Sequence, residues 1–125
     1  MRSSASKIHQ SAQGCLVHNV IPNLTPPPGW VLQHVTPEYV HTEFGKVYDV
    51  DVHAQWRNGK GDKFELFIEI QKNILEKSFC EKCKVLTKMN LRNPRKIFIV
   101  IKEKNIPTDS MDMWEYLEQT IQVPW

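Results

Sequence analysis

Two segments in the middle of the chain alternate between apolar and polar side chains, which is the period of a half-buried β-strand. The first segment places on its apolar face Tyr48, Val50, Val52 and Ala54, and on its polar face Asp49, Asp51 and His53. The second segment places on its apolar face Phe64, Leu66, Ile68 and Ile70, and on its polar face Glu65, Glu69 and Gln71. Residues 58–61 between them include two glycines, so the sequence predicts a hairpin.

The N-terminal part of the chain predicts a helix and then a strand. Sparse apolar positions over residues 3–20 fit one amphipathic helix, and a proline-rich linker follows at residues 25–29. Residues 30–39 predict a first strand, which Pro37 restricts to a sheet edge or a strand end. A turn over residues 43–46 then leads into the hairpin.

The C-terminal part predicts a helix, a strand and a last helix. These elements cover residues 73–91, 96–101 and 110–122, and Asp109 lies in the segment that caps the last helix. The complete order predicts an α/β fold with a mixed sheet of about four strands flanked by helices. Its sheet is a three-strand antiparallel meander, followed by a crossover helix and a fourth strand.

Length and composition indicate one intracellular domain. The 125 residues suit a single domain, with an N-terminal helix and linker over 1–29, a core over 30–104 and a C-terminal helix over 105–125. A hydrophobic content of 41% supports a real core. No apolar run approaches the ~20 residues that span a membrane. Three cysteines argue against a disulfide framework, so we expect a cytoplasmic or nuclear protein with reduced thiols.

The hairpin brings acidic side chains together. If its turn centres near residue 60, cross-strand partners sum to about 120, so that Asp51 faces Glu69 and Asp49 faces Gln71, with opposed Cβ atoms roughly 5 Å apart. Two carboxylates at that distance repel each other, and a hard divalent cation between them makes the arrangement favourable. We therefore expect Asp51→Asn to preserve or raise the melting temperature while abolishing metal binding.

This arrangement resembles the PD-(D/E)xK nuclease superfamily, which has the restriction-endonuclease-like fold. Asp51 matches the first acid, and Glu69, Ile70 and Gln71 match Glu-x-Lys with glutamine in the lysine position. The resemblance covers about residues 30–104. It implies a nuclease-like domain that hydrolyses DNA phosphodiester bonds with Mg²⁺ or Mn²⁺. Asp51 and Glu69 would hold the metal with the Ile70 carbonyl, and Gln71 would position the attacking water. Asp49 competes with Asp51 as the first acid or joins it as an auxiliary ligand.

Two departures from the family pattern favour an alternative. Gln71 carries no charge and cannot act as a base at neutral pH. Many family members place a Glu on the first helix, whereas residues 3–20 contain no acid. His9, His18 and Glu43 are imperfect stand-ins for it. The alternative is a nuclease-fold module without catalysis that binds nucleic acid or another protein, the latter through its acidic C-terminal helix.

Charge is unevenly distributed along the chain. Residues 72–96 carry eight basic and two acidic side chains, whereas residues 103–125 carry five acidic and one basic. Such a basic surface binds phosphates by counterion release, so we expect duplex or branched DNA as a partner. The resemblance to nucleases, which commonly act as dimers or within larger assemblies, also implies a homodimer or larger assembly. The candidate phosphate contacts are Lys72, Lys77, Lys82 and Lys84. The pair Cys80 and Cys83 has the spacing of half a zinc site, but it also fits two small residues on a helix.

Overall fold

The computed structural model describes residues 7–72 and 77–125, which form a four-stranded mixed sheet flanked by helices. The strands are β1 (Trp30–Glu43), β2 (Lys46–Asn58), β3 (Lys63–Gln71) and β4 (Lys96–Lys102), and they lie side by side in that order. The first three strands are antiparallel, and β4 runs parallel to β3. The predicted fold class, a three-strand meander and a fourth strand after a helix, is confirmed. Pro37 lies in β1, which is an edge strand as expected.

The helices connect and cover this sheet. They are α1 (Lys7–Cys15), α2 (Lys77–Arg92) and α3 (Ser110–Thr120). A π turn over Leu16–Val20 and a 3-10 turn over Ile21–Asn23 follow α1. The side chain of Asp109 caps α3, because it accepts hydrogen bonds from the backbone N–H groups of Met111 and Asp112. Predicted helical residues at 3–6 and 73–76 lie outside the described residues.

The two hairpin turns explain the strand register. Phe44 and Gly45 both have positive φ, at 52° and 74°, which is typical of the tight turns that join antiparallel strands. In the second turn, Gly61 has a φ of 84° and the Asn58 side chain accepts the backbone N–H of Asp62 at 2.9 Å. The paired positions of β2 and β3 run from Arg57 opposite Lys63 to Val52 opposite Ile68. Each pair sums to 120, so the predicted register is confirmed.

The sheet separates two hydrophobic clusters of unequal size. The larger cluster lies between the sheet and helices α1 and α3, and includes Ala12, Leu16, Leu66, Ile68 and Leu117. On the other face, Leu86 and Met89 of α2 pack with Val50 and Phe67. The molecule therefore has three layers, with α2 on one side of the sheet and α1 and α3 on the other.

The side chains of β2 switch from one side of the sheet to the other just before the strand begins to pair with β3. Val50 packs in the α2-side cluster, whereas Val52 belongs to the larger cluster on the opposite face. An unbroken strand would place both valines on one face, so the predicted apolar face is interrupted at this point. On β1, Pro37 pairs with Val52 and Tyr39 pairs with Val50. Glu38, between these two positions, has a positive φ of 51°. Asp51 lies at this irregularity, which determines the direction of its side chain.

Candidate active site

Asp51 is held by helix α1 and by the backbone of β3. Its residue exposure is only 3%, and it lies just beyond the last paired position of β2 and β3. One carboxylate oxygen, Oδ2, accepts the backbone N–H of Ile70 at 2.7 Å. The other, Oδ1, lies 3.1 Å from Nε2 of His9 on α1. Gln13, one turn further along α1, donates to the backbone carbonyl of Asp51 at 2.7 Å. Two elements therefore fix this carboxylate.

Glu69 joins the site from β3. It is 7% exposed, and its carboxyl group is hydrogen-bonded to that of Asp51. Lys82, on the second turn of α2, donates from Nζ to Oε2 of Glu69 at 2.5 Å. The same ammonium lies 3.4 Å from Oδ1 of Asp49, whose side chain is largely exposed. Asp51, Glu69 and Lys82 thus form a buried site where α1, the sheet and α2 meet.

The two carboxyl groups differ in their affinity for a proton. Burial and the adjacent charge of Asp51 raise the pKa of Glu69 to about 8, although Lys82 acts in the opposite direction. Burial also opposes ionisation of Asp51, but hydrogen bonds from His9, Glu69 and the Ile70 N–H hold its pKa below the ordinary value. The carboxylate of Glu69 raises the pKa of Lys82 in spite of burial, which favours a charged ammonium. Of the two carboxyl groups, Glu69 therefore binds a proton more tightly than Asp51.

The structure brings some of the predicted site residues together and separates others. Asp51 and Glu69 meet through their side chains, rather than as a regular cross-strand pair, because the backbone pairing ends at Val52. Asp49 contacts the site through the ammonium of Lys82. Gln71 lies two positions after Glu69, where β3 pairs with Lys102 of β4.

The predicted phosphate contacts differ in exposure. Lys72, Lys77 and Lys84 are exposed. Lys82 was also expected to contact phosphate at the surface, but its side chain is only 15% exposed and its ammonium points at the carboxyl pair. Lys82 is therefore part of the buried site and is held there by two acids.

The sequence indicated His9 only as an imperfect stand-in for the first-helix acid and Lys82 only as a phosphate contact, although a helical repeat could have shown that both face the core. His9 shares a helix face with the buried residues Ala12 and Leu16. Lys82 falls in the same repeat as Phe79, Leu86 and Met89, which are buried. Residues at these three- and four-residue spacings lie on one face of a helix. A polar side chain within such a stripe faces the core and needs a polar partner there.

The carboxyl pair has the chemistry of a hard-cation site with few ligands. Carboxylate oxygens are the donors that Mg²⁺ and Mn²⁺ prefer, and the ammonium of Lys82 already places a positive charge against Glu69. Over residues 7–72 and 77–125, no group of three or more His, Cys, Asp and Glu side chains is arranged to hold a metal ion. A metal here would therefore be held by two carboxylates and by backbone or solvent oxygens.

The cysteines do not converge. Cys15 is buried on α1, Cys80 is exposed on α2 and Cys83 is half-buried on the same helix. None of the helices in the described part of the chain has the length and apolar character needed to cross a membrane.

Comparison with known proteins gives no relative: no family model, curated protein or solved structure matches the chain. The interpretation of the site therefore depends on its own geometry.

Proposed function

We propose that this protein is a metal-dependent, endonuclease-like domain that hydrolyses DNA phosphodiester bonds. The observation that carries the proposal is the buried, hydrogen-bonded pair of Asp51 and Glu69, with the ammonium of Lys82 2.5 Å from Glu69. Two buried acids can hold a divalent metal ion, and a basic residue beside them can stabilise the negative charge that develops in phosphoryl transfer. The resemblance of Asp51 and Glu69 to the PD-(D/E)xK motif supports the same reaction.

Each residue has a defined part in this proposal. Asp51 and Glu69 would hold Mg²⁺ or Mn²⁺, which when bound supplies positive charge to the scissile phosphate and lowers the pKa of its bound water. Lys82 supplies the ammonium that the family motif would place at Gln71, because its Nζ lies against the second motif acid. Asp49 helps to orient that ammonium. Gln71 would hydrogen-bond the water without accepting its proton.

Nucleic acid as the substrate is supported by the surface beside the site. Helix α2 carries Lys82 inward, and on its exposed positions it carries Lys77, Lys84, Lys88 and Arg92. These exposed cations begin within one or two turns of Lys82, so a phosphate backbone bound along the outer face of α2 would lie on the same side of the sheet as Lys82. Such binding releases condensed counterions and is independent of base sequence.

The test is nicking of supercoiled plasmid and cleavage of branched DNA by the purified protein in Mg²⁺ or Mn²⁺. Glu69→Gln should abolish cleavage, since the metal loses an ionisable ligand. Lys82→Met should also reduce cleavage by about 10²-fold or more, because it removes a charge placed for the transition state. Lys104→Met, which changes an exposed lysine outside α2, is the matched control and should cleave like the parent.

Metal binding separates the roles of these side chains. Mn²⁺ affinity should fall in Glu69→Gln and should be retained or increased in Lys82→Met, because the ammonium and the metal compete for the same carboxyl oxygen. Isothermal titration calorimetry measures both. Equal cleavage by the parent and Glu69→Gln would reject this site.

A second candidate function, a nucleic-acid-binding module without catalysis, is favoured by one observation. Asp51 and Glu69 already have protein partners in His9, the Ile70 N–H and Lys82, so the site is electrostatically balanced without a metal. In that case, the protein would bind DNA in a salt-dependent manner, would show no saturable Mn²⁺ binding and would not cleave.

A further inference from the structure

A pocket of about 420 Å³ lies at the end of the sheet where β3 and β4 begin. It is lined by the aromatic residues Trp30, Phe64 and Trp125, by Arg95 and by three prolines. Pockets for small ligands have volumes of roughly 300–1,000 Å³ and a mostly apolar and aromatic lining with a few polar groups, and this pocket has both properties. Glu69 follows Phe64 on the same strand at a distance of about 17 Å, so the pocket is separate from the carboxyl pair.

The aromatic lining of the pocket is anchored in the hydrophobic core. Phe64 is buried, whereas Trp125 is 41% exposed. The ring of Trp125 lies 5.0 Å from that of Phe64, and it packs edge-on against the buried Trp56 at 5.1 Å. The indole is therefore held in place by other rings while much of its surface faces solvent. Such a surface suits a flat aromatic ligand, because little side-chain freedom is lost when the ligand stacks on it.

Arg95 brings a positive charge to the same pocket. Its guanidinium lies over the ring of Trp30, 5.6 Å from the ring centroid, which is a cation–π distance. It also lies 3.4 Å from the carboxylate of Asp62, but both side chains are exposed, at 51% and 39%. Exposed ion pairs contribute little, and Asp62 has a further partner in the side chain of Asn58 at 3.0 Å. The guanidinium can therefore exchange this carboxylate for a phosphate, which it binds through two parallel hydrogen bonds.

The charge around the pocket favours a ligand that carries phosphate. Helix α2 ends at the exposed Arg92, and Arg95 follows in the short connection to β4. The exposed cations of α2 therefore continue as far as the pocket, and a row of cations is what a phosphate backbone binds. A proline-rich peptide, which also binds to aromatic-lined grooves, would contact the rings but not the cations.

We propose that this pocket binds one unpaired nucleotide, with the base stacked on the indole of Trp125 and the phosphate paired with Arg95. Stacking of this kind tolerates any base, because every base has a π face. A base within a duplex reaches such a pocket only at the cost of unstacking, so the pocket selects single strands and the unpaired ends or junctions of branched DNA. The inference rests on the proposed nucleic-acid substrate, but it requires neither a metal ion nor cleavage.

The test is fluorescence anisotropy of a labelled oligothymidine and of a fully paired duplex of the same length, with the full chain in EDTA. The parent should bind the single strand more tightly than the duplex. Trp125→Leu keeps an apolar group against Phe64 but removes the indole, so it should weaken single-strand binding by about fivefold or more and leave duplex binding unchanged. Trp125→Phe retains an aromatic ring and should bind like the parent. Met111→Ala, which removes an exposed apolar side chain of α3, is the matched control and should also bind like the parent.

Arg95→Gln tests the phosphate contact independently of the aromatic ring. Because the guanidinium is half-exposed, this variant should fold like the parent. It should weaken single-strand binding and reduce the slope of log affinity against log salt by about one. Lys104→Gln, which removes an exposed charge outside the pocket, should leave the slope unchanged.

Competition with free dTMP identifies the source of the nucleotide. Displacement of the oligothymidine by dTMP, lost in Trp125→Leu, would support a site for free nucleotides, whereas no displacement alongside Trp125-dependent strand binding would support a site for nucleotides within a strand. Equal single-strand affinities of the parent and Trp125→Leu, with urea unfolding showing both to be folded, would overturn the proposal. Binding of a polyproline peptide that depends on Trp125, without a preference for single strands, would overturn it in favour of a protein ligand.

The same measurements separate this pocket from the proposed function. If the parent binds duplex DNA in a salt-dependent manner but shows no preference for single strands, the pocket is rejected and the nucleic-acid substrate stands. If the parent binds neither DNA, both are rejected.

Discussion

Asp51 and Glu69 carry the same functional group, but their surroundings shift the pKa values of the two carboxyl groups in opposite directions. Asp51 is stabilised as a carboxylate by His9 and by the Ile70 N–H, and its pKa is low. Glu69 has a hydrogen bond to that carboxylate, and burial beside the charge of Asp51 raises its pKa to about 8. Because each group depends on its own partners, their amide substitutions should have different consequences for folding.

The first prediction compares Glu69→Gln with Asp51→Asn. Glutamine reproduces the shape and hydrogen bonding of a protonated glutamate, so Glu69→Gln should unfold within about 0.5 kcal/mol of the parent at pH 7. The two carboxylate oxygens of Asp51 accept hydrogen bonds from His9 and from the Ile70 N–H, and asparagine can supply only one of these oxygens. Asp51→Asn should therefore lower the free energy of unfolding by roughly 1–3 kcal/mol. This reverses our expectation from the sequence that Asp51→Asn preserves stability. Urea unfolding measures both, and equal stabilities of the two variants would contradict it.

The second prediction concerns pH. The folded-state pKa of Glu69, about 8, lies above its ordinary value of 4.5, so its contribution to stability is complete below pH 4.5 and is lost as the pH rises through about 8. The loss should be on the order of a few kcal/mol, because the group is buried. Asp51 has a lowered pKa, so its contribution is present above about pH 3.8 and is lost as the pH falls.

Unfolding curves at pH 4.5, 6 and 8 test the assignment to Glu69. The decline in the free energy of unfolding between pH 4.5 and 8 should be smaller in Glu69→Gln than in the parent. Comparison with the parent cancels the contribution of the histidines, which titrate over the same range. Parallel curves for the two proteins would show that Glu69 ionises normally.

At the scale of elements, helix α2 has two faces with different tasks. Phe79, Leu86 and Met89 face the sheet, and Lys82 in the same stripe supplies the ammonium of the carboxyl site. The outer face carries exposed lysines, with Lys88 and Arg92 also packed over the ring of Phe44. The inner face therefore serves the site, while the outer face is available to a phosphate backbone.

The third prediction follows from this division of α2. Changing Lys77, Lys84 and Lys88 together to Glu should weaken DNA binding and reduce the slope of log affinity against log salt by roughly two to three for duplex DNA. Fluorescence anisotropy at several salt concentrations measures the slope. The matched control changes Lys60, Lys63 and Lys104, which are exposed elsewhere, by the same charge. Equal slopes for the two triple variants would exclude α2 as the DNA surface.

At the scale of the whole molecule, the sheet divides both the core and the charge. The larger cluster joins the sheet to α1 and α3, whereas the cluster beneath α2 is small. The acidic helix α3 and the basic helix α2 lie on opposite faces of the sheet. DNA attracted by the basic layer would therefore bind on the side of the sheet that carries α2 and Lys82.

The fourth prediction is that the α2 layer opens before the rest of the fold. Free energies of local opening follow the amount of buried apolar contact, so amide exchange should be faster in α2 than in β2 and β3. Native-state hydrogen exchange followed by NMR measures this residue by residue. Leu86→Ala should accelerate exchange mainly in α2, whereas Leu117→Ala should accelerate it across the sheet. Uniform protection of α2 and the sheet would contradict the prediction.

The sequence by itself determined the order of elements, the mixed sheet and the register of β2 with β3. These features depend on local properties: the two-residue alternation of strands, the glycines of the turn at 58–61 and the position of Pro37. The same alternation and register drew attention to Asp51 and Glu69, because positions that sum to 120 lie opposite each other.

Only the tertiary structure decided what surrounds those acids. His9 lies 42 positions before Asp51 in the chain, and Lys82 lies 13 positions after Glu69. Local periodicity can show that both side chains face the core, but it cannot show which acids they contact. The irregularity at Glu38 and Asp51 interrupts the alternation on which the sequence argument depended. Packing of α1 and α2 against opposite faces then gives one acid a histidine and the other an ammonium, and this environment sets which carboxyl group keeps its proton.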